Sequence, residues 1–355
     1  MARTNKNVDP AQIVRNYSGP PLRIMEVCGT HTHEIFKLGI RDMLPAALQL
    51  IPGPGCPVCV TTATFIDEAL LLALEYGATI CTFGDLVRVP GGCHDLAQAR
   101  AKGAKLQIVY SPLDAVDYAA GHQKEKVIFL SIGFETTVPA SCLALKQAEK
   151  AGLKNFWLLA ANKTMDQAYP LLADGVDVFL YPGHVSAITG MEVYKKLKLK
   201  GISGVVTGFT AAEILAALAV ISKKAASKEP FASNCYPRIV TEEGNIIAKG
   251  LIKETMIACD AIWRGLGLIK NSGLCLAPAY EQFDARKAFD LPTLEESANP
   301  DCRCGDILRG LCWPPQCPLF GGACRPENPL GACMVSNEGT CAAFYKYGGF
   351  YGKND

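Results

Sequence analysis

Over the first two-thirds of the chain, apolar residues come in short runs that are mostly not in alternation with polar ones. The runs are Leu22–Val27, Leu48–Ile51, Ala78–Thr82, Leu106–Tyr110, Val127–Ile132, Phe156–Ala160, Val176–Tyr181 and Val205–Thr207. A strand with one wet face alternates, whereas a strand covered on both faces does not, so these runs predict buried parallel strands. Between them the periodicity turns helical. Thr64–Tyr76 carries an apolar stripe and stops at Gly77, and Ser111-Pro112 offers an N-cap followed by proline at the first helical position. Val138–Ala151 has Pro139 in its first turn and stops at Gly152, Thr210–Lys224 is rich in alanine and leucine, and Ile246–Gly265 also reads as helical. Strands and helices in turn predict an α/β protein with parallel sheets.

The strand ends carry the chemistry. Val27 runs into Cys28-Gly29-Thr30-His31, Ile51 into Pro52-Gly53-Pro54-Gly55-Cys56-Pro57-Val58-Cys59, and Ile132 into Gly133-Phe134-Glu135. Tyr181 runs into Pro182-Gly183-His184, and Thr207 into Gly208-Phe209. Open parallel sheets bind ligands beyond the carboxyl ends of their strands. The two Pro-Gly turns, at Pro52 and Pro182, suggest two similar parallel-sheet α/β domains facing a cleft. A small cysteine-rich C-terminal domain follows, with expected boundaries at 1–125, 126–230 and 231–355.

Composition then narrows the function. Hydrophobic residues make up 49% of the 355 and the net charge is +1, which gives no electrostatic case for nucleic acid or an anionic membrane. No apolar run is long enough to span a bilayer, and the polar stretch MARTNKNVDPAQIVRNYSG lacks an apolar signal core. The expectation is a cytoplasmic protein. There, 16 cysteines point to metal binding or thiol chemistry rather than to a disulfide framework.

Two thiol constellations stand out. Cys56 and Cys59 form a C-x-x-C pair, which can chelate a metal or close a disulfide. Thr61 or Thr62 can cap the next helix, so Cys59 is expected near a helix N-terminus and in the thiolate form. Cys28 is expected across the cleft from this pair. Three soft thiolates suit iron or zinc, the bland alternative being a buried structural Cys28 with His33 on a helix face. The second constellation is Cys302, Cys304, Cys312, Cys317, Cys324, Cys333 and Cys341 in a stretch rich in Pro and Gly. Such a segment cannot build an ordinary core, and spread single cysteines suit a [4Fe–4S] cluster. A zinc site or a disulfide-stapled tail is the alternative. Cys81, Cys142, Cys235, Cys259 and Cys275 read as core, and Cys93 as buried or inert. Glu135 is a candidate proton carrier or an anion at the next helix N-terminus, and His184 a candidate donor or a structural histidine.

Taken together, CGTHTHEIFKLGI, IPGPGCPVCV, SIGFETTVPA, YPGHVSAITG, CRCG, CPLFGGAC and GACMVSNEGTCAAFYKY resemble the signature stretches of the HypD family of hydrogenase maturation proteins, in order from residue 22 to 347. The resemblance implies a scaffold and redox protein that assembles the Fe(CN)2CO unit of [NiFe]-hydrogenase. It implies work with a chaperone, HypC, and cyanide accepted from HypE. By the same resemblance Cys28, Cys56 and Cys59 are the functional thiols that hold ferrous iron carrying CN and CO. Cys302, Cys317, Cys324 and Cys341 are the expected ligands of a [4Fe–4S] cluster, with Cys304 and Cys333 as a redox pair and Cys312 apart. His31, His33, Glu135 and His184 are expected to move protons or orient ligands. The rival reading is a [4Fe–4S]-dependent thiol–disulfide oxidoreductase acting on a protein substrate.

Overall fold

The computed structural model describes residues 9–227, 229–296 and 299–348. The first eight residues of the polar amino-terminal stretch lie outside this range. All eight expected strands form: β1 (Leu22–Glu26), β2 (Leu48–Pro52), β3 (Thr79–Thr82), β4 (Leu106–Ile108), β5 (Val127–Gly133), β6 (Phe156–Asn162), β7 (Val178–Pro182) and β8 (Gly204–Thr207). A ninth, β9 (Ala232–Asn234), extends the first of two sheets, whose order is β2-β1-β7-β8-β9. The second sheet runs β4-β3-β5-β6, and every pairing in both sheets is parallel. The second sheet is thus inserted in sequence between the halves of the first.

The strands form where the sequence leaves no polar alternative. Every residue of β3, β5, β7 and β8 is buried, as strands covered by helices on both sides require. Helix stops follow the backbone rules: Gly77 and Gly152 adopt φ of +66° and +64° after their helices. Ser111 and Thr210 cap their helices reciprocally with Asp114 and Glu213. Behind the cysteine-bearing edge of the first sheet, buried Arg41 pairs with Glu26 and lies over the rings of Phe36 and Trp313.

Three readings are corrected. Two parallel α/β sheets form as expected, but Pro52-Gly53 and Pro182-Gly183 do not mark one each, because β2 and β7 belong to one sheet. Ile246–Gly265 is not one helix. The helix ends at Thr255, and an antiparallel hairpin follows, β10 (Met256–Trp263) and β11 (Gly267–Leu276). Residues 258–262 alternate between exposed and half-buried, a strand period that the mostly apolar composition concealed. Cys259 and Cys275 are therefore not core residues: they join in a disulfide on this hairpin. Cys81 and Cys142 are buried as expected, Cys235 is partly exposed and Cys93 exposed.

The C-terminal region carries short helices at Cys304–Leu308, Ala332–Val335 and Thr340–Tyr347. The last docks on helix Gly29–Lys37, where Phe344 meets Phe36 edge-on at 5.6 Å. Ala332–Val335 docks on the short helix Pro57–Val60. No helix among the described residues is long and apolar enough to cross a membrane.

Candidate functional site

Strand order decides what meets at the carboxyl edge of the first sheet. Cys28 follows β1, the central neighbour of both β2 and β7. The Cys56–Cys59 loop therefore lies on one side of it and Gly183-His184 on the other. This is the switch point where the chain, having built β1 and β2, leaves and later returns with β7. Gly55 rests directly on the backbone of Cys28, and a Cβ there would collide with the Cys28 nitrogen and Cα. Cys56 caps helix Pro57–Val60, its Sγ accepting the Cys59 N–H at 3.3 Å, with Pro57 at the first helical position. All three thiols are covered: Cys28 is 8% exposed, Cys56 3% and Cys59 0%. Among the described residues no group of three His, Cys, Asp or Glu side chains is arranged around one point as a single-ion site.

Burial also reverses the expected ionisation. It drives the Cys59 thiol well above its ordinary range, and hydrogen bonds with Cys333 and Cys56 push the same way. Burial likewise raises Cys28 to about 11, opposed by the His31 N–H and reinforced by Glu338. The helix expected after the C-x-x-C loop does form, Ala63–Leu74 with Thr62 as its cap, yet the thiolate expected near its start does not arise, because the C-terminal region seals Cys59 from water.

Further thiols lie close by. Cys59 lies beside Cys333, Cys333 beside Cys304 and Cys341, and Cys304 beside Cys302, near enough for each to shift its neighbour's titration. Neighbouring thiols thus lead from the C-x-x-C pair into the C-terminal cysteines. Six of those seven, Cys302, Cys304, Cys317, Cys324, Cys333 and Cys341, line one small cavity walled by Ile307, Leu319, Phe320 and Met334. Cys312 does not line it. A cleft of about 740 Å³ opens from the surface onto Cys302 and Cys304, with Arg264 in its wall.

The candidate proton carriers divide. His31 is buried and donates from Nε2 to the Gly208 carbonyl at 2.8 Å, while Nδ1 finds no partner among the described residues. Burial lowers its pKa to about 4, so it is neutral at pH 7. His184 is exposed, and the Phe209 ring stacks between it and His31, at 3.9 Å and 4.6 Å. His33 points elsewhere, bonding Asn337 O at 3.0 Å and meeting Tyr347 edge-on, and so ties its helix to the C-terminal region. Glu135, beyond β5 of the second sheet, is buried. Its Oε1 accepts the Met165 N–H at 3.0 Å, its Oε2 finds no partner among the described residues, and burial raises its pKa to about 7.

Three contributors escaped the sequence reading. Glu338 accepts from Thr30 Oγ1 at 2.7 Å and packs on Gly29, holding the C-terminal region over the Cys28 turn. Phe209 provides the ring between the histidines. Arg264 donates its backbone N–H to Val60 O at 2.9 Å and its Nε to Thr61 O at 2.6 Å, closing the end of the C-x-x-C helix. For Phe209 the signal was present, since it follows Gly208 at a strand end. For Glu338 and Arg264 nothing local marks the long-range contact.

Comparison with known proteins gives a consistent set. The family model HypD, described as "Hydrogenase formation hypA family", matches residues 8–348. The hydrogenase maturation factor HypD of Escherichia coli (strain K12) is 41% identical over 333 residues, 92% of this chain and 89% of the relative. A putative hydrogenase expression/formation protein of Methanocaldococcus jannaschii is 44% identical over 331 residues, 92% of each chain. The hydrogenase expression/formation protein HupD of Azotobacter chroococcum is 40% identical over 359 residues, 98% of this chain and 93% of the relative.

Proposed function

The chain belongs to the HypD family, and from that premise we propose that it acts in hydrogenase maturation as the thiol scaffold and redox partner for assembly of the Fe(CN)2CO unit. The observation that carries this reading is the meeting of Cys28 with the C-x-x-C loop, with Cys59 beside Cys333 of the C-terminal cysteine cavity.

Iron is the substrate. Cys56 and Cys59 grip it as thiolates once their protons leave, with Cys28 beside them and a further thiolate from a HypC-type chaperone. Thiolate donation makes the iron electron-rich, which favours its binding of cyanide and CO. Burial holds Cys28 and Cys59 as protonated thiols at rest, so metal loading releases their protons. Neutral His31 is close at hand with an unpartnered Nδ1. Exposed His184 stands at the edge of the same site, suited to meet incoming ligands and a HypE-type cyanide donor.

The C-terminal donor set suits a [4Fe–4S] cluster, since six soft thiols line one apolar cavity; of these, Cys302, Cys317, Cys324 and Cys341 are the ligands in this reading. Such a cluster supplies single electrons when bound. Cys304 and Cys333 then lie side by side with Cys333 next to Cys59, placed to pass reducing equivalents by thiol–disulfide exchange. The protein works in this reading in the cytoplasm, without membrane or nucleic acid.

The test is infrared spectroscopy of the complex purified without oxygen. CO and cyanide bands are expected, and they are expected to vanish in Cys56→Ala or Cys59→Ala. Full band intensity in either variant would rule out the ligand role. Absence of the bands from the wild-type complex, with cluster iron only, would favour the thiol–disulfide oxidoreductase.

A further inference from the structure

The hairpin β10–β11 holds the remaining paired sulfur of the described chain. Its tip is clasped between the two thiol constellations. On one side Arg264 bonds Val60 O and Thr61 O at the end of the C-x-x-C helix. On the other, Gly265 lies backbone to backbone against Gly305, beside Cys304, and the Arg309 guanidinium donates to Gly265 O at 2.6 Å. Trp263 is fully buried against Phe134. The strands behind the tip belong to neither sheet; β11 touches the end of β6 through the Lys163–Gly273 bridge and the Thr164 N–H to Ser272 O bond at 2.8 Å, while β10 has β11 as its strand partner among the described residues. The ladder is also irregular between Cys259 and Ala261.

The disulfide Cys259–Cys275 lies in the regular stretch of the ladder immediately behind that irregularity, on the side away from the tip. The two cysteines are offset on facing strands: Cys259 pairs with Gly273, and Cys275 with Ile257. Gly273 leaves room for the bridge, since a Cβ there would sit 3.1 Å from Cys259 Sγ. Cys275 is exposed and Cys259 half-buried, so the bond can be reached from solvent. In a reducing compartment an accessible disulfide is a sensing or exchanging bond rather than a permanent staple.

We infer that Cys259 and Cys275 form a surface dithiol–disulfide switch, opened by a protein dithiol, that sets how firmly the hairpin tip holds the Cys56–Cys59 helix. A thiolate of the donor attacks exposed Cys275 Sγ, the Cys259–Cys275 bond breaks, and Cys259 leaves and takes a proton. The donor's second thiol resolves the mixed disulfide and releases Cys275 as a thiol. Two electrons and two protons pass to the hairpin, and the donor becomes a disulfide; the reverse exchange closes the switch. With the bridge open, the irregular ladder is the weakest pairing behind the tip, about 16 Å of strand from Arg264 at ~3.3 Å per residue.

The inference stands apart from the iron reading, because its readouts need no iron and either can fail alone. The full-length chain is equilibrated anaerobically in glutathione buffers from oxidising to cellular reducing ratios, then alkylated and mapped by mass spectrometry. Cys259 and Cys275 should change together from linked to free. Amide exchange of the peptide 263–267 is followed in the same samples and in a Cys259→Ser, Cys275→Ser variant. Exchange at Arg264 should rise by about tenfold to a hundredfold in the reduced wild type and equally in the variant. Cysteines that stay unlinked in every oxidising buffer, or linked in every reducing one, overturn the switch. An Arg264 amide equally protected in both redox states overturns the coupling even if the variant fails to fold.

Discussion

Replacing Glu135 by glutamine removes one buried titration while keeping the side chain's volume and its acceptor for the Met165 N–H. Burial raises the Glu135 carboxyl from 4.5 to about 7, so between those values the folded chain binds more protons than the unfolded one. Stability from this group therefore falls as pH rises: no cost applies below about 4.5, and the full cost applies above about 7. A shift of that size corresponds to roughly 3 kcal/mol, at about 1.4 kcal/mol per pH unit. Glutamine cannot ionise, and its buried amide group adds a cost of ~1 kcal/mol that does not depend on pH. The difference in stability between variant and wild type should thus grow in the variant's favour by about 3 kcal/mol from pH 4.5 to pH 8. Urea unfolding of the metal-free, reduced protein, followed by circular dichroism at each pH, measures it. Parallel pH profiles would refute the reasoning and remove Glu135 as a proton carrier poised near neutrality.

Breaking the thiol string at Cys333→Ser should slow cluster-dependent reduction of an oxidised Cys56–Cys59 pair on the order of tenfold or more, read by quenched alkylation and mass spectrometry after dithionite addition; an unchanged rate contradicts the route. Gly55→Ala should force the C-x-x-C loop off Cys28, costing about 1–3 kcal/mol and exposing Cys28 to alkylation, and an unchanged melting temperature would be incompatible with the backbone contact. Arg264→Met removes the side-chain bonds to Thr61 O and Pro90 O and should cost about 3 kcal/mol or more in urea, with Arg264→Lys recovering part of it. A loss below ~1 kcal/mol would show that the clasp is not held by these bonds.

The buried strands were legible because their runs have no polar face, and with them the turns that bring Cys28, the C-x-x-C loop, His184 and Phe209 to one edge. Which strands share a sheet was not legible. Pro52 and Pro182 look like markers of separate domains, yet parallel strands gain partners by crossover, and local sequence does not state which. The hairpin was hidden because helix Ile246–Thr255 runs into β10 with no glycine or proline between them. Its cysteines then looked like core. The ionisation of Cys59 was misread for a related reason: the helix terminus is local, but the seal over it comes from Cys333, far along the chain. Residues such as Glu338 and Arg264 act only through such distant contacts, and a lone Glu or Arg in a loop gives no sign of them.

Mössbauer spectroscopy on iron-57-labelled protein, purified without oxygen with its chaperone partner, tests the scaffold most directly. A component beyond the four irons of the cluster should appear in the wild type and be lost in Cys56→Ala, with the cluster signal intact. A spectrum accounted for by cluster iron alone in the loaded wild-type complex would contradict the assignment of these thiols as an iron grip.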